Sequence, residues 1–160
     1  LEADLLIYSQ LITAGEYEKA IDYMPSDFWK VYEKNEFLAD LKRAGKQIDS
    51  ITVDNLEIIN ISKSLKSNSK NFRLITYSVN IEFGSSNVPK SIIEKYKSRF
   101  GIDNVKLDTI NNFIRIKNNS QIVSVYDKEL KRWKYLEYDG PIISKVYDIK
   151  TWAKLITHIH

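Results

Sequence analysis

Cysteine is absent from this sequence, and with it go disulfides, thiolate metal sites and cysteine nucleophiles. Histidine is nearly absent. Only His158 and His160 occur, both at the C-terminal end, where a frayed polar terminus accounts for them better than a site does. On a helix a spacing of two sends them to different sides, so they make no joint metal-binding pair there. The five glycines stand singly at element ends, which leaves no glycine-rich phosphate loop. Neither a Gly-x-Ser-x-Gly elbow nor a His-Glu-x-x-His helix occurs. Nucleotide, serine-hydrolase and zinc-protease chemistry are therefore set aside, and neither a cofactor nor a metal is expected.

Long apolar runs are lacking too, so no membrane span and no signal-peptide core are expected. The chain begins at Leu1 and not at a methionine. That is read as a trimmed start, which keeps an export signal since removed among the readings and leaves the compartment open. A charge of one sign is also missing: 24 basic and 21 acidic residues are mixed along the chain and sum to +3. Lys63, Lys66, Lys70 and Arg73 form one short basic run, and Lys128, Lys131, Arg132 and Lys134 another. Both are broken by acidic or polar residues and read as solvated turns, so no nucleic-acid partner is expected.

What remains is ordinary globular material with many aromatics. Hydrophobic residues make up 43% and charged residues 28% of 160 residues, enough for one core in a single domain over 1–160. Ten tyrosines, six phenylalanines and three tryptophans supply large burial with polar tips, a composition that favours a fold with a cavity.

The apolar spacing changes once along the chain. Leu5, Leu6, Tyr8, Leu11 and Ile12 recur at helical spacing from Glu2 to Ala14, and Gly15 is a natural stop. Tyr17, Ala20, Ile21 and Met24 predict a second helix that ends at Pro25. Phe28, Trp29, Val31 and Tyr32 predict a short aromatic helix, and Asn35 can cap a fourth through Phe37, Leu38 and Leu41 to Gly45. From Ile48 to Ile61 the pattern turns to β-branched alternation, with the pairs Ile51/Val53 and Leu56/Ile58. Residues 62–71 read as a hairpin loop. Phe72 to Phe83 returns as a strand with Ile75, Tyr77, Val79, Ile81 and Phe83 on a buried face, and Leu74, Thr76, Ser78, Asn80 and Glu82 on a largely wet one.

Pro89 to Phe100 predicts a helix closed by Gly101. Three strands are expected after it: Val105 to Lys117, Gln121 to Asp127 and Trp133 to Tyr138. Asn118-Asn119 and Lys128 to Arg132 are read as the turns between them. Asp139-Gly140-Pro141 breaks the last strand, and Asp148 opens a C-terminal helix carrying Trp152, Leu155, Ile156 and Ile159. The fold class is thus α+β, with N-terminal helices packed on a strongly curved antiparallel sheet.

Two stretches of wording carry a family likeness. Ala14-Gly15-Glu16-Tyr17-Glu18-Lys19-Ala20-Ile21-Asp22-Tyr23, followed by Met24-Pro25 and Phe28-Trp29, resembles the helical opening of small stand-alone members of the nuclear transport factor 2-like superfamily, also described as cystatin-like. Arg132-Trp133-Lys134-Tyr135-Leu136 resembles their late strand, in which a basic turn leads to a buried tryptophan. The resemblance spans residues 1 to 139. It implies a cone-shaped α+β fold whose concave sheet face and helices enclose a cavity, used across the superfamily by isomerases, dehydratases, small-ligand binders and interaction modules. The inserted Pro89 to Phe100 helix and the C-terminal helix depart from the simplest pattern at the cavity's entrance.

Fold does not choose among those functions. Tyr77 is the best candidate for an internal polar handle, although a core tyrosine bonded to backbone is the commoner case. Tyr8, Tyr23, Phe28, Trp29, Phe83, Trp133 and Tyr135 join it as a candidate pocket lining, against the plainer reading of packed core. Asp108 and Glu57 are strand carboxylates whose direction depends on register. No catalytic residue is assigned. First in rank stands a non-enzymatic domain that binds a small apolar ligand or a protein partner. The alternative is a cavity enzyme of isomerase or dehydratase type using a tyrosine and a carboxylate, which requires a carboxylate or histidine on the inward face beside Tyr77. A homodimer through the outer sheet face, with Leu74 and Phe113 as exposed apolar contacts, is the third reading.

Overall fold

The switch of hydrophobic spacing separates two layers of structure. The computed structural model describes residues 1–46, 52–85 and 88–157. Helices α1 (Glu2–Thr13), α2 (Tyr17–Ala20) and α3 (Lys34–Lys46) come first, with single 3-10 turns at Ile21–Tyr23 and Phe28–Lys30. Strands β1 (Thr52–Ile61), β2 (Leu65–Ser67) and β3 (Lys70–Gly84) follow, then α4 (Lys90–Phe100) and strands β4 (Val105–Asp108), β5 (Phe113–Asp127) and β6 (Arg132–Glu137). Helices α5 (Gly140–Val146) and α6 (Ile149–Thr157) close the described chain. All six strands share one open, curved sheet in which every pairing is antiparallel, in the order β1-β3-β5-β4 with β2 on β3 and β6 on β5. No helix among the described residues is long and apolar enough to cross a membrane.

Local chemistry explains the ends of the helices. Gly15 takes a left-handed φ of 71°, and the amides of Gly15 and Glu16 bond the carbonyls of Ile12 and Leu11, which closes α1 as a Schellman turn. Helix α3 is capped by Glu33, whose carboxylate accepts from the Glu36 amide at 2.8 Å. Asn35, the residue the sequence suggested for that role, bonds Glu33 instead. At Gly45 α3 passes close to Tyr17, and a Cβ there would force the tyrosine hydroxyl to shift.

Three stretches fold differently from the sequence reading. Val105 to Lys117 is not one strand, and Asn118-Asn119 is not a turn. The chain reverses at residues 109–112, where the Asp108 carboxylate accepts from the amides of Ile110 and Asn111 and Asn112 takes a positive φ. Asn118 and Asn119 then lie inside β5, paired with Val79 and Ser78. The expected hairpin loop at 62–71 contains β2, turned back onto β3 through Asn68 and Ser69, both left-handed, as a two-residue hairpin turn of type I′ demands. Asp139-Gly140-Pro141 ends β6 as expected but also starts α5, since Asp139 accepts from the Ile142 amide and proline sits in the first turn. At the C-terminus, Asp148 accepts from the Thr151 amide at the start of α6.

The sheet is covered on both faces along part of β3. On one face Leu5 of α1 packs with Ile75, Ile122 and Tyr135. On the other, Phe72, Leu74 and Val123 meet Met24, Phe28 and Ile143. Leu74 is therefore core, 4% exposed, and not the exposed dimer contact expected of it, while Phe113 is half-buried. Burial of this kind stabilises the fold by about 2 kcal/mol per large side chain. The face of β3 expected to be wet is covered at Leu74 and Ser78. A third cluster joins Ile93 of α4 to Phe83, Val105, Ile114 and Ile116.

The basic runs divide. Lys63, Lys66, Lys128 and Lys131 are exposed, but Lys134 is buried, with its ammonium donating to the Asp22 carbonyl. Trp133, expected as core, is only half-buried. Ile48 and Ile51, residues 158–160 with both histidines and Ile159, and the side chains of Trp152, Leu155 and Ile156 lie outside the described residues.

Candidate functional site

Two registers decide which polar groups meet. Strand β3 pairs with β5 so that Tyr77 sits opposite Ser120 and Ile75 opposite Ile122. Strand β6 pairs with the other side of β5 so that Ile122 sits opposite Glu137. Side chains alternate with a period of two and directly opposite residues share a face. Tyr77, Ser120 and Glu137 therefore emerge on one face of three adjacent strands. Glu137 reaches Tyr77 diagonally across β5.

The three groups interact in a row: Ser120 favours the ionised form of Tyr77, and Tyr77 in turn favours the ionised form of Glu137. They stand on the wall of a cavity of about 530 Å³. Tyr8, Ile12, Met24 and Phe28 line it from the helical layer, and Val53, Val79 and Ile81 from the sheet. Its lining is mainly apolar, with a few converging polar groups, the usual make-up of a small-molecule site.

Burial sets the electrostatics. It pushes the Glu137 carboxyl up to about 7, and the neighbouring Tyr77 phenol pulls the other way. Glu137 nevertheless keeps solvent-accessible surface, because it borders the hollow it lines. Tyr77 is pushed up to about 12, by burial first and then by the Glu137 charge. Tyr8 is raised for the same reasons in the same order, with a smaller push from Tyr77. Glu137 is thus a carboxyl that changes charge near neutrality, and its neighbours are phenols that stay protonated there.

Of the sequence-read pocket set, Tyr8, Phe28 and Tyr77 line this cavity. The other five pack elsewhere. Tyr135 stacks on Tyr8 with ring centroids 5.7 Å apart and donates its hydroxyl to the Leu1 carbonyl at 2.5 Å. Tyr23 lies 6.4 Å from Tyr8, with the Arg132 guanidinium over its ring. Trp29 meets Phe28 and Phe37 edge-on. Phe83 packs against Tyr96 of α4, and Trp133 against Tyr126. Asp108 serves its own turn, and Glu57 is exposed on β1.

Sequence reasoning missed Glu137 and Ser120. The signal for Glu137 was present, since residues 133, 135 and 137 share one side of a strand and Tyr135 is fully buried. Ser120 was hidden by the mistaken turn at Asn118-Asn119. Among the described residues no group of histidine, aspartate and glutamate is placed to hold a metal ion. The chain matches no family model, no curated protein and no solved structure, so the chemistry of this hollow rests on its own geometry.

Proposed function

We propose that this chain is a small-molecule binding domain whose half-open cavity takes a largely apolar ligand and offers Tyr77 and Glu137 to that ligand's polar group. One observation carries the reading: the interacting Tyr77 and Glu137 pair stands on the wall of a mainly apolar cavity of about 530 Å³. A carboxyl in such a place costs stability when ionised, and a ligand hydroxyl that donates to it relieves that cost. The order of elements, helices and then a curved antiparallel sheet, supports placing the domain with the nuclear transport factor 2-like cone folds. Native mass spectrometry of the purified protein, with organic extraction of retained compounds, is the direct test. Retention of an apolar compound by the unaltered protein and its loss on filling the cavity with Val79→Trp is the expected result. An unaltered protein that neither retains nor takes up any apolar compound refutes the proposal.

A second reading is favoured by the position of Glu137 in the pH scale. A carboxyl held near 7 suits general acid and base work at neutral pH. As carboxylate, Glu137 would take a proton from a carbon beside a carbonyl and return it to a neighbouring position, while the electron pair rests on the carbonyl oxygen. Tyr77 would turn its hydroxyl from Glu137 to that oxygen. This is the isomerase or dehydratase reading, and it makes a separate prediction: a bound enolisable ketone exchanges hydrogen with deuterated water in the unaltered protein and not in Glu137→Gln. Binding without exchange leaves the domain a binder.

A further inference from the structure

The cavity carries one formal charge of each sign, and the two stand at different ends. Apart from Glu137, its only charged lining residue among the described residues is Arg99, in the last turn of α4. The cavity follows β3 from Tyr77 past Val79 to Ile81. Ile81 packs into the same cluster as Ile93 of α4, so the Ile81 end is the Arg99 end. Four residues of strand separate Tyr77 from Ile81, about 13 Å at the usual rise. Arg99 is exposed and forms no salt bridge among the described residues, whereas Lys97, the other cation of that turn, is bonded to Glu94. The Arg99 guanidinium lies 5.2 Å from the Phe100 ring, which leaves its donor edges open to an incoming acid.

We infer that the ligand is an amphipathic monocarboxylate. Its carboxylate rests on Arg99, its apolar chain of about ten carbons, whose bonds of about 1.5 Å advance the extended zigzag by about 1.3 Å each, runs beside Val79 and Ile81, and a hydroxyl or carbonyl at its far end meets Tyr77 and Glu137. Guanidinium binds carboxylate through two parallel N–H bonds, a geometry that an alcohol or an amine does not reproduce. The opposite orientation fails on charge, because a carboxylate set against Glu137 places two acids side by side. This inference rests on the binding reading above and narrows it to one class of molecule.

Calorimetric titration with ω-hydroxydecanoic acid, decanoic acid and decanol tests it, on the unaltered protein and on Arg99→Gln. Arg99 is exposed on α4, so the variant retains its fold, and its melting curve checks that directly. The expected order of affinity is the hydroxy acid above decanoic acid, and decanoic acid above decanol. Arg99→Gln should weaken both acids about tenfold, the worth of one charge-assisted contact, and leave decanol unchanged. Decanol binding as well as the acids, or Arg99→Gln weakening all three alike, overturns the carboxylate assignment and leaves the binding cavity standing. If none of the three binds while another apolar compound does, the inference falls alone; if no apolar compound binds at all, both fall.

Discussion

The Tyr77 phenol favours the ionised Glu137 carboxyl from two strands away, with β5 between them. Nothing in the chain brings residues 77 and 137 together except the register of the sheet. Their shared chemistry is therefore a property of the fold and of no local motif, and it can be tested by altering either partner.

Replacing Tyr77 with Phe removes the donor that favours the ionised form of Glu137. The Glu137 titration midpoint, read by carboxyl ¹³C NMR, should move above its value of about 7, with a stability loss of about 1 kcal/mol. An unmoved midpoint would show that the phenol and carboxyl do not interact.

Stability should depend on pH through Glu137. Its folded-state pKa of about 7 stands above the ordinary 4.5, so the folded protein holds a proton that the unfolded chain has released. Its contribution is present in full below about 4.5 and is lost as pH rises through about 7. The melting temperature of Glu137→Gln, measured against the unaltered protein across that window, should gain on it as pH rises. Parallel curves would contradict the raised titration.

The core should respond according to burial and not according to residue size. Phe28, fully buried against Tyr32 and Phe37, should cost about 3 to 5 kcal/mol on change to Ala. Trp133 reads from the sequence as core but is half-buried, and its change to Ala should cost clearly less. Denaturant unfolding of the two variants checks the order, and a larger loss at Trp133 would reverse it.

At the β2–β3 turn, Ser69 holds a φ of 62°, a conformation that suits glycine better than serine. Ser69→Gly should raise stability by up to about 1 kcal/mol. A lower melting temperature would mean that the serine makes a contact worth more than the backbone relief.

The layers were legible because helical and alternating spacing differ over many residues, and Gly15 and Asp148 mark boundaries by chemistry that any neighbour leaves intact. Turns were less so. Asn118-Asn119 and Asp108 to Asn112 have similar turn-forming composition, and the choice between them was made by the pairing of β5 along the whole of β3, which no local window contains. Asp139-Gly140-Pro141 carries two messages, a strand break and a helix start, and only the first is visible without α5's packing of Ile143 against the core. Of the candidate site, Tyr77 was readable from its apolar neighbours. Glu137 was not, because a charged residue at a strand end reads as surface until the strand across from it is known.

Thirteen residue pairs, from Phe72 with Val125 to Gly84 with Phe113, lock β3 to β5. A slip of one notch in that long seam would swing Tyr77 to the reverse side and strand Glu137 without its donor. The acid's titration midpoint thus doubles as a gauge of assembly: chains zipped in the wrong phase would betray themselves by an altered proton affinity even where their overall shape and strand content were preserved.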